Sequence, residues 1–363
     1  MFRKVSISLF TSLIIINCGI IYAQEDDSSN TNGVSWFPIP FAFYTPETRL
    51  AFGLLLITAF KLSESKESSP SGISASIFYT LNNQYDFSLS PELFLNNDKY
   101  FIAAELNYAK VIGKYFGIGN DTKDIGNPDF EARNSLMLLK FQSEILPSLR
   151  IGGVYELREA EVTNPMQNPY LLSGNTFGAE GGLTSGLGLV ITYDTRNNIF
   201  YPTYGGYYEM VTTVFSGKIG SDYNYTKTLI DLRKYLEINN NQLLAIQLLY
   251  NFVTGSTPFY ELALLGGDEI MRGYFSGRYR DNNYFAAQLE YRIRVWWRFG
   301  MVGFIGVGEV ANKISNFGIS QFKYSVGGGL RFRIDETELW DLRVDVGFGN
   351  NSSGFYFQYN QAF

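Results

Sequence analysis

The stretch Phe285-Ala286-Ala287-Gln288-Leu289-Glu290-Tyr291-Arg292-Ile293-Arg294-Val295 decides the fold. In an extended chain successive side chains point to opposite faces. Phe285, Ala287, Leu289, Tyr291, Ile293 and Val295 therefore share one apolar face, while Gln288, Glu290, Arg292 and Arg294 share the other. Ionised Glu and Arg in mid-strand are too costly for a dry sandwich core but suit a water-filled lumen. The same two-faced pattern recurs in Tyr85–Leu95 and in Trp340–Gly349. It recurs again at the end, where Phe355, Phe357, Tyr359 and Phe363 alternate with Tyr356, Gln358 and Asn360. These runs exceed the five or six residues of an ordinary strand and match the roughly ten residues of a tilted membrane crossing. The expected class is all-β, a transmembrane antiparallel β-barrel.

Composition agrees. The 363 residues carry 29 Lys+Arg against 35 Asp+Glu, a net charge of −6 with no basic run, which excludes a nucleic-acid binder. There is no His, which removes Ser-His-Asp catalysis, His-ligated zinc and a His pH switch. Neither a cofactor nor a metal is expected. The only Cys, Cys18, lies in an apolar leader that follows the basic Met1-Phe2-Arg3-Lys4, so a mature chain holds no disulfide. Residues 1–23 are expected to be a signal peptide, 24–35 a short disordered periplasmic segment, and 36–363 the barrel. Past the leader no apolar run reaches the 18 residues a membrane helix needs.

Alternating segments number about sixteen, an even count that puts both ends on the periplasmic side. The expected outer connections 113–130, 160–180, 254–281 and 309–321 are long. The inner turns at 96–98, 146–148, 239–241 and 297–299 are short, with 62–70 and 194–205 as exceptions.

Three places carry a resemblance. The inner turn Tyr193-Asp194-Thr195-Arg196 through Pro202 to Gly205-Gly206-Tyr207 is the first. The long outer loop Gly266 to Asp281, with Arg272-Gly273-Tyr274 at its tip, is the second. The third is the closing run Gly327-Gly328-Gly329-Leu330-Arg331-Phe332, Leu342-Arg343-Val344-Asp345 and Phe355 to Phe363. The start, Pro38-Ile39-Pro40 then Tyr44 to Thr48, adds to these. Together they resemble the BamA/TamA-like outer-membrane assembly superfamily, also called the bacterial surface antigen family, in a short form lacking POTRA domains.

The resemblance implies that the long loop folds into the lumen and that Arg272 meets acidic groups on the wall. The family's usual partner is an Asp in a Phe-x-Asp-x-Gly strand. Here that strand reads Phe304-Ile305-Gly306-Val307-Gly308-Glu309, with Gly306 where the Asp would stand. By alternation Glu290 and Asp345 face the lumen and can substitute; Glu309 can bend in from the rim. On spacing alone the simpler reading is that Arg272 caps an exposed loop. The resemblance also implies Phe355, Phe357, Tyr359 and Phe363 as a C-terminal strand signal, and the outer membrane of a Gram-negative-type bacterium as the location. The implied partners are outer-membrane lipid and either unfolded outer-membrane protein clients or a separate periplasmic helper.

Other readings stand beside these. Glu290, Arg292, Arg294, Arg331, Arg333, Arg343 and Asp345 fit a wet mixed-charge lining that sets ion selectivity. The 194–206 turn fits a register-fixing role. Gly327–Gly329 fits a wall flattened for a packed loop. Pro38, Pro40 and Pro46 remove ladder donors from the first strand, so the seam is either weak or merely short. Protein insertion or translocation leads on resemblance. A passive channel or scaffold barrel is the alternative. The missing His argues against an embedded enzyme.

Overall fold

The computed structural model describes residues 34–45, 49–63, 68–126, 128–164, 167–334, 336 and 339–363. The expected signal peptide, with Cys18, and nearly all of the expected 24–35 segment lie outside the described residues.

The chain is built of long strands. They begin with β1 (Ser35–Thr45), β2 (Arg49–Phe60), β3 (Ser71–Thr80), β4 (Tyr85–Leu95), β5 (Tyr100–Lys114) and β6 (Asp129–Leu146). Next come β7 (Leu149–Thr163), β8 (Gly181–Asp194), β9 (Gly205–Phe215), β10 (Tyr225–Asn239) and β11 (Gln242–Gly255). Two three-residue strands, β12 (Ala263–Leu265) and β13 (Tyr279–Asp281), lie within the long loop. The last five are β14 (Asn283–Trp296), β15 (Phe299–Ala311), β16 (Lys323–Arg333), β17 (Asp341–Gly349) and β18 (Ser352–Tyr359).

All but β12 and β13 form one sheet of sixteen strands in chain order, each antiparallel to the next. β11 pairs directly with β14, so the long loop stands outside this sheet. Among the described residues no ladder joins β1 to β18. Among the described residues no helix is long and apolar enough to cross a membrane.

Register places the charged positions side by side. Ala245 pairs Glu290, Glu290 pairs Phe304 and Phe304 pairs Gly327, so these four share a face. On that same face Gly329 pairs Asp345 and Asp345 pairs Tyr356. Glu290 and Asp345 are fully buried, whereas Leu289, Ile305, Leu330 and Val346 on the opposite face are exposed. An exposed apolar face around a buried charged one is the arrangement of a barrel in lipid, and the reverse of a soluble fold. At the β14–β15 turn Trp296, Trp297, Phe299 and Phe332 cluster with ring centroids 5.1–6.2 Å apart. Such rings suit the headgroup level.

The end of the barrel holding the β8–β9 and β14–β15 turns, called the inner end here, is crossed by structure. Asp194 and Arg196 form a paired fork, Nε to Oδ1 at 3.0 Å and Nη2 to Oδ2 at 2.7 Å. Asn198 Oδ1 accepts from Phe200 N and Tyr201 N, which tightens the turn. Gly205 takes φ of +92° just where β9 starts, a conformation that favours glycine. The turn then presents Phe200 to the edge of Trp340 at 5.5 Å, and Phe37 of β1 meets the same indole at 5.3 Å. Trp340, fully buried, thus joins β1, the β8–β9 turn and the β16–β17 connection.

One strand ends earlier than its alternation implies. β18 stops at Tyr359, and Asn360 adopts φ of +59°, which Asn tolerates. The chain turns off the wall there. Phe363 is therefore not on the lipid face with Phe355 and Phe357. Ala362 and Phe363 are buried inside, against Tyr201, Tyr235, Leu243 and Ala245. The expectation of a membrane-facing Phe363 is corrected: four aromatic and aliphatic neighbours inside outweigh the period-two register.

Candidate functional site

The long loop leaves β11 at Gly255 and is pinned first by Glu261. This carboxylate receives Lys227 of β10 at 3.2 Å and Arg158 of β7 at 2.9 Å. Burial alone would raise the Glu261 pKa, but Lys227 and Arg158 outweigh it and hold the pKa below the ordinary value. Phe259 packs between Tyr115 and Phe130. Arg280 of β13 lies close to both Tyr115 and Phe259 and donates to the carbonyls of Lys114, Phe259 and Gly277. Burial pushes its pKa down to about 10, so it remains a cation at neutral pH.

The tip carries Arg272 to the wall. Arg272 is fully buried, with Nη2 2.6 Å from Glu290 Oε2 of β14 and Nη1 2.6 Å from Asp345 Oδ2 of β17. Its guanidinium sits 3.5 Å from the ring centroid of Phe304 on β15. Burial tends to lower its pKa, but the two carboxylates outweigh that and raise it. One planar cation thereby bridges two strands and caps an aromatic face, which suits a guanidinium and not an ammonium.

The backbone around Arg272 is held as well. Ser325 Oγ donates to the Arg272 carbonyl. Gly273 N donates to Tyr356 Oη at 2.8 Å, and Ser352 Oγ donates to the Gly273 carbonyl at 2.6 Å. Tyr274 Oη donates to the Tyr324 carbonyl and accepts from Asn350 N. Gly273 has φ of +110°, and a Cβ there would stand 2.6 Å from the Phe348 carbonyl carbon. The wall answers with Gly347, whose Cβ would stand 2.6 Å from the Arg272 carbonyl carbon. Both glycines are required by this close approach.

Three more arginines share the two carboxylates. Arg292 Nε is 2.7 Å from Glu290 Oε1, Arg331 pairs with Asp345, and Arg343 Nη1 is 3.1 Å from Asp345 Oδ2. The cluster is thus richer in cations than in anions at its centre. Arg343 also donates to the Asp268 carbonyl at 3.0 Å, a second tie between loop and wall.

Not every candidate residue joins this cluster. Glu309 is buried but accepts from Gly318 N at 3.2 and 3.3 Å, on the β15–β16 connection, so it is not a partner of Arg272. Gly306 does not leave an empty place: Met271 of the loop lies against Gly306 and Gly308. Gly327 and Gly329 make room for the wall's own Phe304 and Asp345 instead of for the loop. Asp194, Arg196, Pro202, Gly205 and Gly206 belong to the inner turn, remote in sequence and contact from Arg272. Sequence reading missed Phe304, Ser325, Tyr356 and Gly347 as loop contacts. Only the inward Gly347 and Gly349 gave a signal, as small residues facing a lumen. The lumen is not filled throughout. A chamber of about 530 Å³ remains beside the loop, between Ile57, Phe94, Arg150 and Thr192 on one side and Asp268 and Phe363 on the other. Among the described residues no cluster fit to hold a metal is present.

A large antiparallel sheet, apolar outside, with an Arg-Gly-Tyr loop tip held against its interior wall, defines a transmembrane β-barrel with an inward-seated loop. A family model described as the Omp85 superfamily domain matches residues 62–363, and the chain belongs to that superfamily. Among solved structures it is similar to BamA from Haemophilus ducreyi lacking POTRA domains 1–3, with TM-score 0.57 and 14% identity over 91% of this chain and 69% of that one. It is also similar to CdiB from Acinetobacter baumannii, with TM-score 0.55 and 11% identity over 91% of this chain and 66% of that one. The chain spans about two thirds of each. No curated protein matches it in sequence.

Proposed function

We propose that this barrel inserts or translocates proteins at the outer membrane of a Gram-negative-type bacterium, with its lumen held shut at rest by the long loop. The observation that carries the reading is the Arg272 bridge to Glu290 and Asp345, set in an Omp85 barrel. A loop bound through many buried polar contacts is a two-state element: seated, it fills one side of the lumen; released, it frees the wall of β14–β17. Passive conduction fits less well, because the loop and the inner turn both occupy the passage. Clients would be unfolded outer-membrane or secreted proteins, delivered from the periplasm with the help of a separate partner. The test is a quantitative outer-membrane proteome with and without the gene. Selective loss of a few membrane or exported proteins, their mRNA unchanged, is expected. An unchanged proteome together with steady single-channel conductance would replace this reading with a channel.

A further inference from the structure

Residues 360–363 follow β18 at the inner end, and Gln361 and Phe363 among them contact the same charge cluster. Gln361 Oε1 accepts from Arg331 Nε at 2.9 Å, and Gln361 Nε2 donates to Asp341 Oδ2 at 2.6 Å. The Phe363 carbonyl accepts from Arg292 Nη2 at 2.7 Å, and its ring lies 5.3 Å from the Arg292 guanidinium. Ala362 and Phe363 reach Tyr235 of β10 and Leu243 and Ala245 of β11, on the far side of β14–β17 from β18. The tail is therefore a strap across the interior and no part of the membrane wall.

Two short relays connect it to the loop tip. One runs from Phe363 through Arg292 and Glu290 to Arg272; the other from Gln361 through Arg331 and Asp345 to Arg272. In each, an arginine divides its donors between a tail acceptor and a carboxylate that Arg272 also uses. With the tail withdrawn, Arg292 and Arg331, both buried, lose those acceptors. A guanidinium in that position turns its free donors to the nearest carboxylate. Those are Glu290 and Asp345, so both arginines then compete with Arg272.

We propose that residues 360–363 form an inner latch whose seating stabilises the seated state of the long loop, so that displacement of these residues releases Arg272 from Glu290 and Asp345. The coupling needs no change in β1 or in a client. It rests on the geometry of the Arg272 bridge and not on what the barrel handles, so its test is independent of the proposed function.

The experiment is amide hydrogen exchange of residues 266–276 in the full-length purified barrel in nanodiscs. Wild type is compared with Phe363→Ala, Gln361→Ala, the double variant, and Phe363→Leu as a conservative control. Each single alanine variant should raise exchange of the loop tip about tenfold, the double variant further, and Phe363→Leu little, with β5–β7 unchanged. Unchanged loop exchange in a double variant whose heat-modifiable migration shows a folded barrel overturns the proposal. So does a rise spread equally over all strands. If the double variant fails to assemble, the single variants decide by the same readout. Loss of client assembly with unchanged loop exchange would leave the proposed function standing and this coupling refuted.

Discussion

Replacing Arg272 by Ala removes two charge-assisted hydrogen bonds of about 1.5–3 kcal/mol each, a gross loss of about 3–6 kcal/mol. The contact with Phe304 adds up to about 2 kcal/mol when desolvated. Two effects oppose this. Glu290 keeps Arg292, and Asp345 keeps Arg331 and Arg343, so neither carboxylate is orphaned. The several kcal/mol spent on desolvating the guanidinium is also recovered. The net loss for the seated loop is about 3 kcal/mol, or roughly a hundredfold in its opening constant. The assay is limited chymotrypsin digestion of the barrel in nanodiscs, scored at Tyr274 and Phe275. While opening and closing outrun cleavage, the rate follows the open population. Arg272→Ala should be cut about a hundred times faster than wild type, and Arg272→Lys at an intermediate rate. Glu309→Gln should match wild type, because Glu309 serves Gly318 and not the loop. Equal cleavage of wild type and Arg272→Ala, both still migrating as folded barrels, would refute the reasoning.

Three further outcomes follow from the same geometry. Gly347→Ala places a methyl 2.6 Å from the Arg272 carbonyl carbon, so it should expose the loop to chymotrypsin while every charge stays in place. Trp340→Ala should cost about 3–5 kcal/mol by emptying a site packed by Phe37, Phe200, Ile57 and Ala59, read as a lower temperature of heat-induced migration shift. Glu261 has its pKa held below the ordinary value, so its anchoring of residues 256–262 is complete above the unfolded value of about 4.5 and is lost only as pH falls through the lower folded value. Hydrogen exchange of that segment should therefore stay flat from neutral pH to about 5 after intrinsic-rate correction, and rise below it.

Much of this was legible in the chain because a barrel wall repeats one rule. Alternation along Phe285–Val295 separates lipid from lumen with no reference to any other segment, since each side chain's face depends only on its parity. The same parity put Glu290 and Asp345 inward, and the Arg272-Gly273-Tyr274 tip was recognisable by its resemblance. Phe363 shows the limit of that rule. It has the parity of Phe355 and Phe357, yet Asn360 takes a left-handed turn and the ring joins Tyr235 and Leu243 instead.

What the sequence alone determined was the sixteen strands of the wall and the two faces of each; the short β12 and β13 within the long loop were not legible in it. Which carboxylates hold Arg272 was decided only by tertiary structure. Strand register set Glu290 and Asp345 on either side of Phe304, while Glu309 ended one connection away beside Gly318. Loop seating depends on glycines 347 and 273, which leave backbone-width space, and on Met271 filling the place that Gly306 vacates. These contacts join residues distant in sequence, 18 and 73 positions apart for the two carboxylates of Arg272. They follow from how the sheet curves and staggers, a property of all sixteen strands together and of no single one.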